Sequence, residues 1–520
     1  MYRELVIFID GILKNKMART FPAVSWTQVL LPAHLCIIIA YFYKLSSSFM
    51  FYNMSKCGSC GCLFFVIKYI IMNTHSMTEG APWKHIIKFA FPVLMGLLLQ
   101  QLYNTVDTIV VGNFTGEAAL SAVGTTASFV FLMLAVATGF SAGNGVVGAQ
   151  HFGAKNIKGV RENAATGILF LLVLGVIIGV LGAFIARPAL KHLISVPDSF
   201  LDLAVQYFVI YSLGLVFQYG YNIFSAILRA VGDSAATLYF LLIAAVLNII
   251  LDVVFVAYFK WGVVGAAVAT DVSQAVSFVA AYIYMRKRYE IFRFKLSEYV
   301  WDNELIKNTV RIGLPISLQL IVVSVGFTLI QRAVNGFGQA MTASFTVGQR
   351  VEMYLNLPGH TFQTTLATYT GQNIGAKKYD RVKLGVRQTM IMSLALSIFI
   401  SILVYIHAEN IISFFGLSNE AAALCLEHLR AIAIINIVLM SYFPLFGVLQ
   451  GAGHSAFPMI VAIAALTLRV FSTYTFRYSP FLGYSIIWWN GIFGFGLGFL
   501  LTWGYYLSGR WKVGAGEAIS

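Results

Sequence analysis

The sequence predicts an all-α polytopic membrane protein, with twelve transmembrane helices in two six-helix lobes related by pseudo-two-fold symmetry along the membrane normal. Three observations predict this class. Hydrophobic residues make up 59% of the 520 residues and charged residues only 11%, about half the charged fraction of a soluble protein. Apolar runs such as Ile168–Ala186 are long enough to cross a hydrocarbon core of about 30 Å as helices. The second half of the chain also repeats the first.

Residues 1–76 differ from the rest of the chain. Their two apolar patches, near Gln28–Tyr43 and Leu63–Met72, are interrupted by proline and lysine and are marginal as spans. Met77 reads as a natural start before the first clean span, so 1–76 is treated as an atypical N-terminal extension that is either a mis-assigned start or a peripheral segment. Four of the five cysteines lie there, without a matching pair at zinc-ligand spacing, so no metal site is predicted.

Apolar runs separated by glycine, proline and charged residues predict twelve spans from residue 84 onward. They fall near 85–112, 118–149, 161–186, 200–230, 234–258, 262–285, 306–334, 340–372, 382–407, 421–450, 455–476 and 483–508.

Basic residues concentrate in alternate loops, near 151–162, 286–311 and 377–387. This bias predicts that every even-numbered span ends in the cytoplasm. The chain is therefore expected in the cell inner (cytoplasmic) membrane as a multi-pass protein, with both ends of the twelve-helix core cytoplasmic. The net charge of +14 is explained by these loops, and no nucleic-acid partner is predicted.

The internal repeat predicts the organisation into lobes. Gly148–Lys155 matches Thr370–Lys377, and Leu228–Ser234 matches Leu449–Ser455, at nearly the same offset. Two parallel six-helix repeats are related by an axis along the membrane normal. We expect an N-lobe over 77–290, a cytoplasmic linker over 291–311, and a C-lobe with a short cytoplasmic tail over 312–520.

Polar side chains within spans are candidates for function, because a carboxylate deep in a bilayer is costly unless it has a partner or a wet cavity. Three spans of the first half carry a set of oxygen-bearing side chains. These are Gln100, Asn104 and Asp107 in the first span, Asn248 and Asp252 in the fifth, and Thr270 and Gln274 in the sixth. Such a set suits Na⁺ or a proton shared between carboxylates.

Several polar and glycine-rich motifs recur along the two halves: Val106–Gly112, Gln150–Ala154, Leu228–Asp233, Gly371–Ala376 and Leu449–Gly453. These motifs resemble those of the multidrug and toxic compound extrusion (MATE) family, particularly its prokaryotic DinF-like branch, and the likeness covers about residues 80–510. The resemblance implies a secondary active antiporter that exports organic, often cationic and aromatic, compounds in exchange for Na⁺ or H⁺. It also implies a V-shaped cavity between the lobes, and no cofactor other than the coupling ion.

The resemblance also implies a cation-coupling site at Asp107, Asn248, Asp252 and Thr270, which fall on the family's positions in helices 1, 5 and 6. Gln100, Asn104, Gln274 and Glu352 are accessory candidates, and no other metal is expected. Aromatic and methionine side chains suit flat cations. The substrate-cavity candidates are Tyr103, Phe140, Tyr219, Met353 and Tyr354.

The second half departs from this pattern, because Arg469 and Thr473 occupy the positions equivalent to Asn248 and Asp252. Coupling is therefore expected in the N-lobe alone. Arg229 and Asp233 are expected to pair at a helix end.

Alternatives remain open. A lipid-linked oligosaccharide or polysaccharide flippase of the same superfamily is the nearest, and an intramembrane enzyme or a channel is less favoured. The chain is expected to act as a monomer on small-molecule substrates in a lipid bilayer, and not as an enzyme. His151 is expected in a solvated loop.

Overall fold

The computed structural model describes residues 76–193, 195–481 and 483–513, and contacts within Ile70–Ser520 form one compact unit. Apart from Ser76, the predicted N-terminal extension lies outside the described residues. The same holds for the end of the predicted cytoplasmic tail.

Twelve long helices account for most of the described chain, and all twelve predicted spans are confirmed. The helices are α1 Pro82–Thr115, α2 Glu117–Gly153, α3 Ile157–Pro188, α4 Asp198–Ala230, α5 Ser234–Asp252, α6 Gly262–Arg288, α7 Asn303–Asn335, α8 Gln339–Gly375, α9 Tyr379–Ser413, α10 Asn419–Gly451, α11 Ala456–Phe476 and α12 Ser485–Leu507. Short π-helical segments continue α3 over Ala189–Leu193 and α5 over Val253–Tyr258.

Among the described residues, eleven of these helices are long and apolar enough to cross a membrane, and α8 is the exception. The first half of α8 carries Thr342, Thr346, Gln349, Arg350 and Glu352, which lower its apolar character. A helix of this length within a bundle of spans can be polar where it faces water rather than lipid.

The segment between the lobes is shorter than the linker expected over 291–311, because α7 begins at Asn303. Asp302 caps this helix, and its carboxylate accepts hydrogen bonds from the backbone N–H groups of Glu304 (2.8 Å) and Leu305 (3.1 Å). An acidic N-cap followed by a polar first turn is a normal helix start. In the sequence these charged residues resemble a loop, so the linker was predicted to be longer.

The two lobes meet along α2 and α7, where small residues let the backbones approach closely. A Cβ atom added at Gly143 would lie 2.7 Å from the Gly313 backbone nitrogen, so neither position tolerates a side chain without movement. Val146, Val147, Ile312 and Ile316 form an apolar cluster beside this contact.

The lobes are in closer contact at one end than at the other. Buried positions of α2 are concentrated after Ala135, and those of α8 become dense from Leu355 onward. Ser128 and Thr346, in the first halves of the same helices, are exposed. The arrangement is therefore a V whose closed end is the one where α2, α4, α8 and α10 terminate.

The segment before α1 is bound to the C-lobe at this closed end. Met77 is buried, and its backbone N–H donates to Gln372 Oε1 at 2.8 Å. Asn373 and Arg381 donate to the Met77 carbonyl oxygen. These contacts tie the start of α1 to the junction of α8 and α9.

Candidate functional site

The predicted cation-coupling residues converge in the N-lobe. Asn248 and Asp252 lie one turn apart on α5, and both are buried, with 3% and 0% of their surface exposed. Asn248 Nδ2 donates to Thr270 Oγ1 of α6 at 3.4 Å. The Asp107 carboxyl group of α1 lies close to that of Asp252. Three helices thus deliver the four predicted side chains to one place.

Four oxygen atoms of this group lack a hydrogen-bond donor among the described residues. Asp107 Oδ1, Asn248 Oδ1 and both carboxylate oxygens of Asp252 are buried without a hydrogen bond. Buried polar atoms are normally paired, and an unpaired carboxylate is especially costly. An oxygen-only set of this kind fits Na⁺ or a proton shared between the two acids.

The backbone changes where the site is formed. At Asp252, α5 passes into the π-helical segment Val253–Tyr258. Single π-helical turns inside α-helices are rare and occur frequently at functional sites. The changed helical period sets the direction of the residues that follow Asp252.

The accessory candidates of the N-lobe are less tightly grouped. Gln100 and Asp107 both lie near Tyr103. Asn104 is exposed, and Gln274 is buried one turn after Thr270. Gln100 is thus connected to the site through Tyr103.

Sequence reasoning missed Asp271, which follows Thr270 on α6. Its Oδ1 atom is buried without a hydrogen-bond partner in the described structure. It missed Tyr207 and Tyr211 of α4 as well, which are buried and stacked with ring centroids 6.0 Å apart. Asp271 could have been predicted as a candidate because it is an acid inside a span. The tyrosines could not, because aromatic residues are too common in this chain to single out any one of them.

The substrate-cavity candidates separate into two groups. Phe140 and Tyr219 are buried in packing: Phe140 lies against Phe170 and Gly313, and Tyr219 donates to the Met133 carbonyl oxygen at 2.8 Å. Met353 is 43% exposed, while Tyr103 and Tyr354 are half-buried. The second group is therefore accessible at a surface of the bundle, whereas Phe140 and Tyr219 serve the core.

Glu352 lies in the C-lobe, away from the N-lobe group. It lines an internal cavity of about 20 Å³ together with His428, Asn436 and Arg469, enough for a water molecule. Arg469 Nε donates to Asn490 Oδ1 at 2.7 Å. The guanidinium also lies 4.7 Å from the centre of the Phe495 ring and 5.3 Å from that of Phe327.

Two expectations about helix ends were wrong. His151 is not in a solvated loop: it belongs to α2 and is 5% exposed. Asp233 accepts hydrogen bonds from the Tyr284 hydroxyl (2.9 Å) and the Tyr289 hydroxyl (2.7 Å), and no ion pair with Arg229 is found in the described parts of the chain. Burial and the Asp233 carboxylate together raise the pKa of Tyr289.

Two glutamines close the end of the bundle at which the lobes meet. Gln150 Nε2 of α2 donates to the Gly451 carbonyl of α10 at 3.0 Å. Gln372 Nε2 of α8 donates to the Ala230 carbonyl of α4 at 2.8 Å. The two bonds relate equivalent positions of the two repeats, and we call them the clasp.

The comparisons with known proteins agree with this architecture. The chain is 28% identical to the probable multidrug resistance protein YpnP of Bacillus subtilis, over 85% of this chain and 98% of that protein. It is 24% identical to the probable multidrug resistance protein NorM of Thermotoga maritima, over 86% of this chain and 97% of that protein.

Solved structures share the fold. A transporter of the MOP superfamily from Pyrococcus furiosus aligns with a TM-score of 0.78 and 24% identity, over 84% of this chain and 98% of that chain. An outward-facing multidrug resistance MATE family transporter aligns with a TM-score of 0.77 and 23% identity, over 86% and 99%.

The MatE family model matches the chain twice, at residues 92–254 and 315–475. The two matches fall on the two repeats, and together they span more than half of the 520 residues. This chain therefore belongs to the MatE family of membrane transporters.

Proposed function

We propose that the chain is a secondary active multidrug efflux transporter, which exports organic, often cationic and aromatic, compounds in antiport with Na⁺ or H⁺. Its relatives named as multidrug resistance proteins support this proposal. The observation that carries it is the convergence of Asp107, Asn248, Asp252 and Thr270, in which oxygen atoms of the first three are buried without a hydrogen-bond donor among the described residues. The confinement of this group to the N-lobe favours the DinF-like branch.

The mechanism follows from the cost of buried charge. When a cation binds, it compensates Asp107 and Asp252, whose mutual repulsion otherwise opposes their approach. Asp107 belongs to α1, so cation occupancy changes how tightly α1 packs against α5. Coupling is then a difference in cation and substrate affinity between the two states of the lobes.

The topology proposed from the loop charges puts the closed end of the V in the cytoplasm. The described conformation is then outward-open, with the first halves of α2 and α8 facing the cell exterior. We place the chain in the cytoplasmic membrane, acting as a monomer on small molecules and without a nucleic-acid partner. The bound species supply no covalent chemistry, so the chain works as a carrier and not as an enzyme.

The test of transport uses purified protein in liposomes with a fluorescent organic cation such as ethidium. A Na⁺ gradient and a pH gradient are imposed separately. We expect at least one of them to drive ethidium against its concentration gradient. If neither does so, the antiporter proposal fails.

The coupling site is tested by Asp252→Asn, which keeps the shape of the side chain and removes its charge. We expect gradient-driven accumulation to fall by at least tenfold, because the cation loses a charged ligand. Asp202→Asn is the matched control, since Asp202 is an exposed acid on α4. Normal coupling in the Asp252 variant would remove the site assignment.

The flippase alternative has thinner support. Arg469 is the one buried arginine placed beside the described C-lobe cavity, and a diphosphate needs several cationic contacts.

A further inference from the structure

A third acid inside the spans of the N-lobe, Asp271, does not belong to the Asp107–Asp252 coupling site. Asp271 projects from α6 toward α4, where its carboxyl group lies over Gly214. A Cβ atom added at Gly214 would collide with Asp271 Cγ and both carboxylate oxygens. The absence of a side chain at Gly214 is what leaves room for the acid.

Asp271 is not compensated by a basic residue. None of the ion pairs among the described residues includes Asp107, Asp252 or Asp271. Leaving an acid uncompensated inside a span costs several kcal/mol by order of magnitude. Such positions persist in membrane proteins chiefly where an ion or a wet pathway uses them.

Asp271 also stands apart from the other two acids. No group of three acidic, histidine or cysteine side chains in the described structure is close enough to hold one metal ion. Asp107 and Asp252 contact each other, whereas Asp271 contacts Gly214. Tyr207 and Tyr211 precede Gly214 on α4 by seven and three residues, so all three lie on one helix face. Asp271 packs against this face at Gly214, and the two stacked tyrosines therefore lie beside it.

The Asp271 Oδ1 atom is buried without a hydrogen-bond partner among the described residues, and the neighbouring Asp107–Asp252 position shows the same deficit. Asn248 and Asp252 are more than nine-tenths buried, yet Asn248 Oδ1 and both Asp252 carboxylate oxygens lack hydrogen-bond partners among the described residues. Because Asp107 and Asp252 repel each other, they share one proton and carry one net negative charge, and Asp271 carries another. Two monovalent cations balance these two negative charges.

We propose that Asp271, with the hydroxyl groups of Tyr207 and Tyr211, forms a second binding position for a small monovalent cation, distinct from the Asp107–Asp252 position. This inference rests on the proposed antiport function. Exchange of two monovalent cations for one monovalent organic cation moves one net positive charge per cycle. Transport is then electrogenic, and its electrogenicity depends on Asp271.

The experiment uses the full chain in liposomes, with equal Na⁺ and pH on both sides and a membrane potential set by K⁺ and valinomycin. Electrogenic two-for-one exchange drives ethidium toward the positive side, opposite to the direction of a passive cation leak. At equilibrium the accumulation is about tenfold for each ~59 mV. Replacing Na⁺ by choline distinguishes Na⁺ from H⁺ as the second cation.

Asp271→Asn should abolish accumulation on the positive side while a Na⁺ or pH gradient still drives exchange. Asp271→Glu should retain the response, and Asp198→Asn, which changes an exposed acid of α4, should behave as the unaltered chain. Gly214→Ala keeps Asp271 but puts a methyl group where the Asp271 carboxyl group lies. It should therefore weaken accumulation on the positive side, and it tests the site even if Asp271→Asn fails to fold.

The outcomes separate this inference from the antiport proposal. If gradients drive ethidium but the potential does not, or if Asp271→Asn keeps the potential response, the second position is refuted and antiport stands. If no gradient moves ethidium, the antiport proposal itself fails.

Discussion

Arg161 organises the segment that joins the two lobes. Its guanidinium donates to the carbonyl oxygens of Ile291 (2.6 Å) and Arg293 (2.7 Å), and to the Glu298 carboxylate at 2.8 and 2.7 Å. It also lies 5.3 Å from the centre of the Phe294 ring. A single planar group with several donors can hold three points of a short linker at once.

This contact predicts a pH dependence. The hydrogen bonds from Arg161 lower the pKa of Glu298 to about 2, so the ion pair stabilises the fold above the ordinary carboxyl pKa of about 4.3 and is lost as the pH falls toward 2. Peptic cleavage within 289–302 should therefore accelerate over that window. The effect is expected to be modest because the pair is partly exposed.

With cleavage rates expressed relative to those of an unfolded reference peptide at the same pH, Glu298→Gln should remove the acceleration in this window. Glu290→Gln is the matched control, because Glu290 is an exposed acid of the same segment. Equal pH dependence in both variants would contradict the role given to Glu298.

At the residue scale, spacing predicted that Asn248 and Asp252 lie together, and the family resemblance predicted that they meet Asp107 and Thr270. Asn248 and Asp252 are four residues apart and necessarily share a helix face. Asp271 could not be placed in this way, because its direction depends on how α6 packs against Gly214 of α4. Phe140 and Tyr219 show the converse: an aromatic residue type does not reveal whether the ring faces a cavity or the core.

Among the helices, α2 and α8 hold the lobes together through the clasp and through close backbone contact. A Cβ atom added at Gly375 would lie 2.8 Å from the Gln150 carbonyl carbon, and one at Gly153 would lie 2.7 Å from Gln372 Cα. Equivalent glycines of the two repeats therefore meet the opposite helix in the same way. Opening this end requires both pairs to separate.

The clasp gives a prediction for the gate. The double variant Gln150→Leu, Gln372→Leu keeps similar side-chain size but removes both donors of the clasp, together with the Gln372 Oε1 acceptor of the Met77 N–H. It should open the closed end more often, because two cross-lobe hydrogen bonds are each worth about 1 kcal/mol. Thiol labelling of Thr309→Cys, buried between α2 and α7, should become several-fold faster.

Gln331→Leu is the control for this change, since Gln331 bonds within α7 to Asn335. Unchanged labelling of the Thr309 variant in the clasp mutant would mean that the glutamines do not hold the closed end.

The helices themselves were well predicted because each span is a long apolar run bounded by loops. The sequence and the structure differ at two helices, α7 and α8. The polar first turn of α7 resembles the preceding linker, and the polar first half of α8 reflects its exposure at the V rather than a break in the helix.

For the whole molecule, the V shape of the bundle predicts which exposed surfaces face water and which face lipid. Ser128 and Thr346 are exposed polar positions on the first halves of α2 and α8, whereas Leu181 and Ile402 are exposed apolar positions. With the natural cysteines replaced, cysteine at the first pair should react quickly with a membrane-impermeant thiol reagent. Cysteine at the second pair should react at least tenfold more slowly, because lipid covers it.

Equal labelling at all four positions would show that the exposed faces of α2 and α8 do not line an aqueous cavity.

The internal repeat predicted the two-lobed plan, since equivalent segments fold alike. It could not predict the angle between the lobes, which depends on contacts between residues of different repeats.

The clasp joins two neutral amides to two backbone carbonyls. Because no ionised group takes part, its strength should be insensitive to ionic strength and to pH over the physiological range. Because the acceptors are main-chain atoms, substitution at Ala230 or Gly451 does not delete them. A change in pH or salt therefore leaves the clasp itself unaltered, and an ion gradient acts on the closed end only through the acids of the N-lobe.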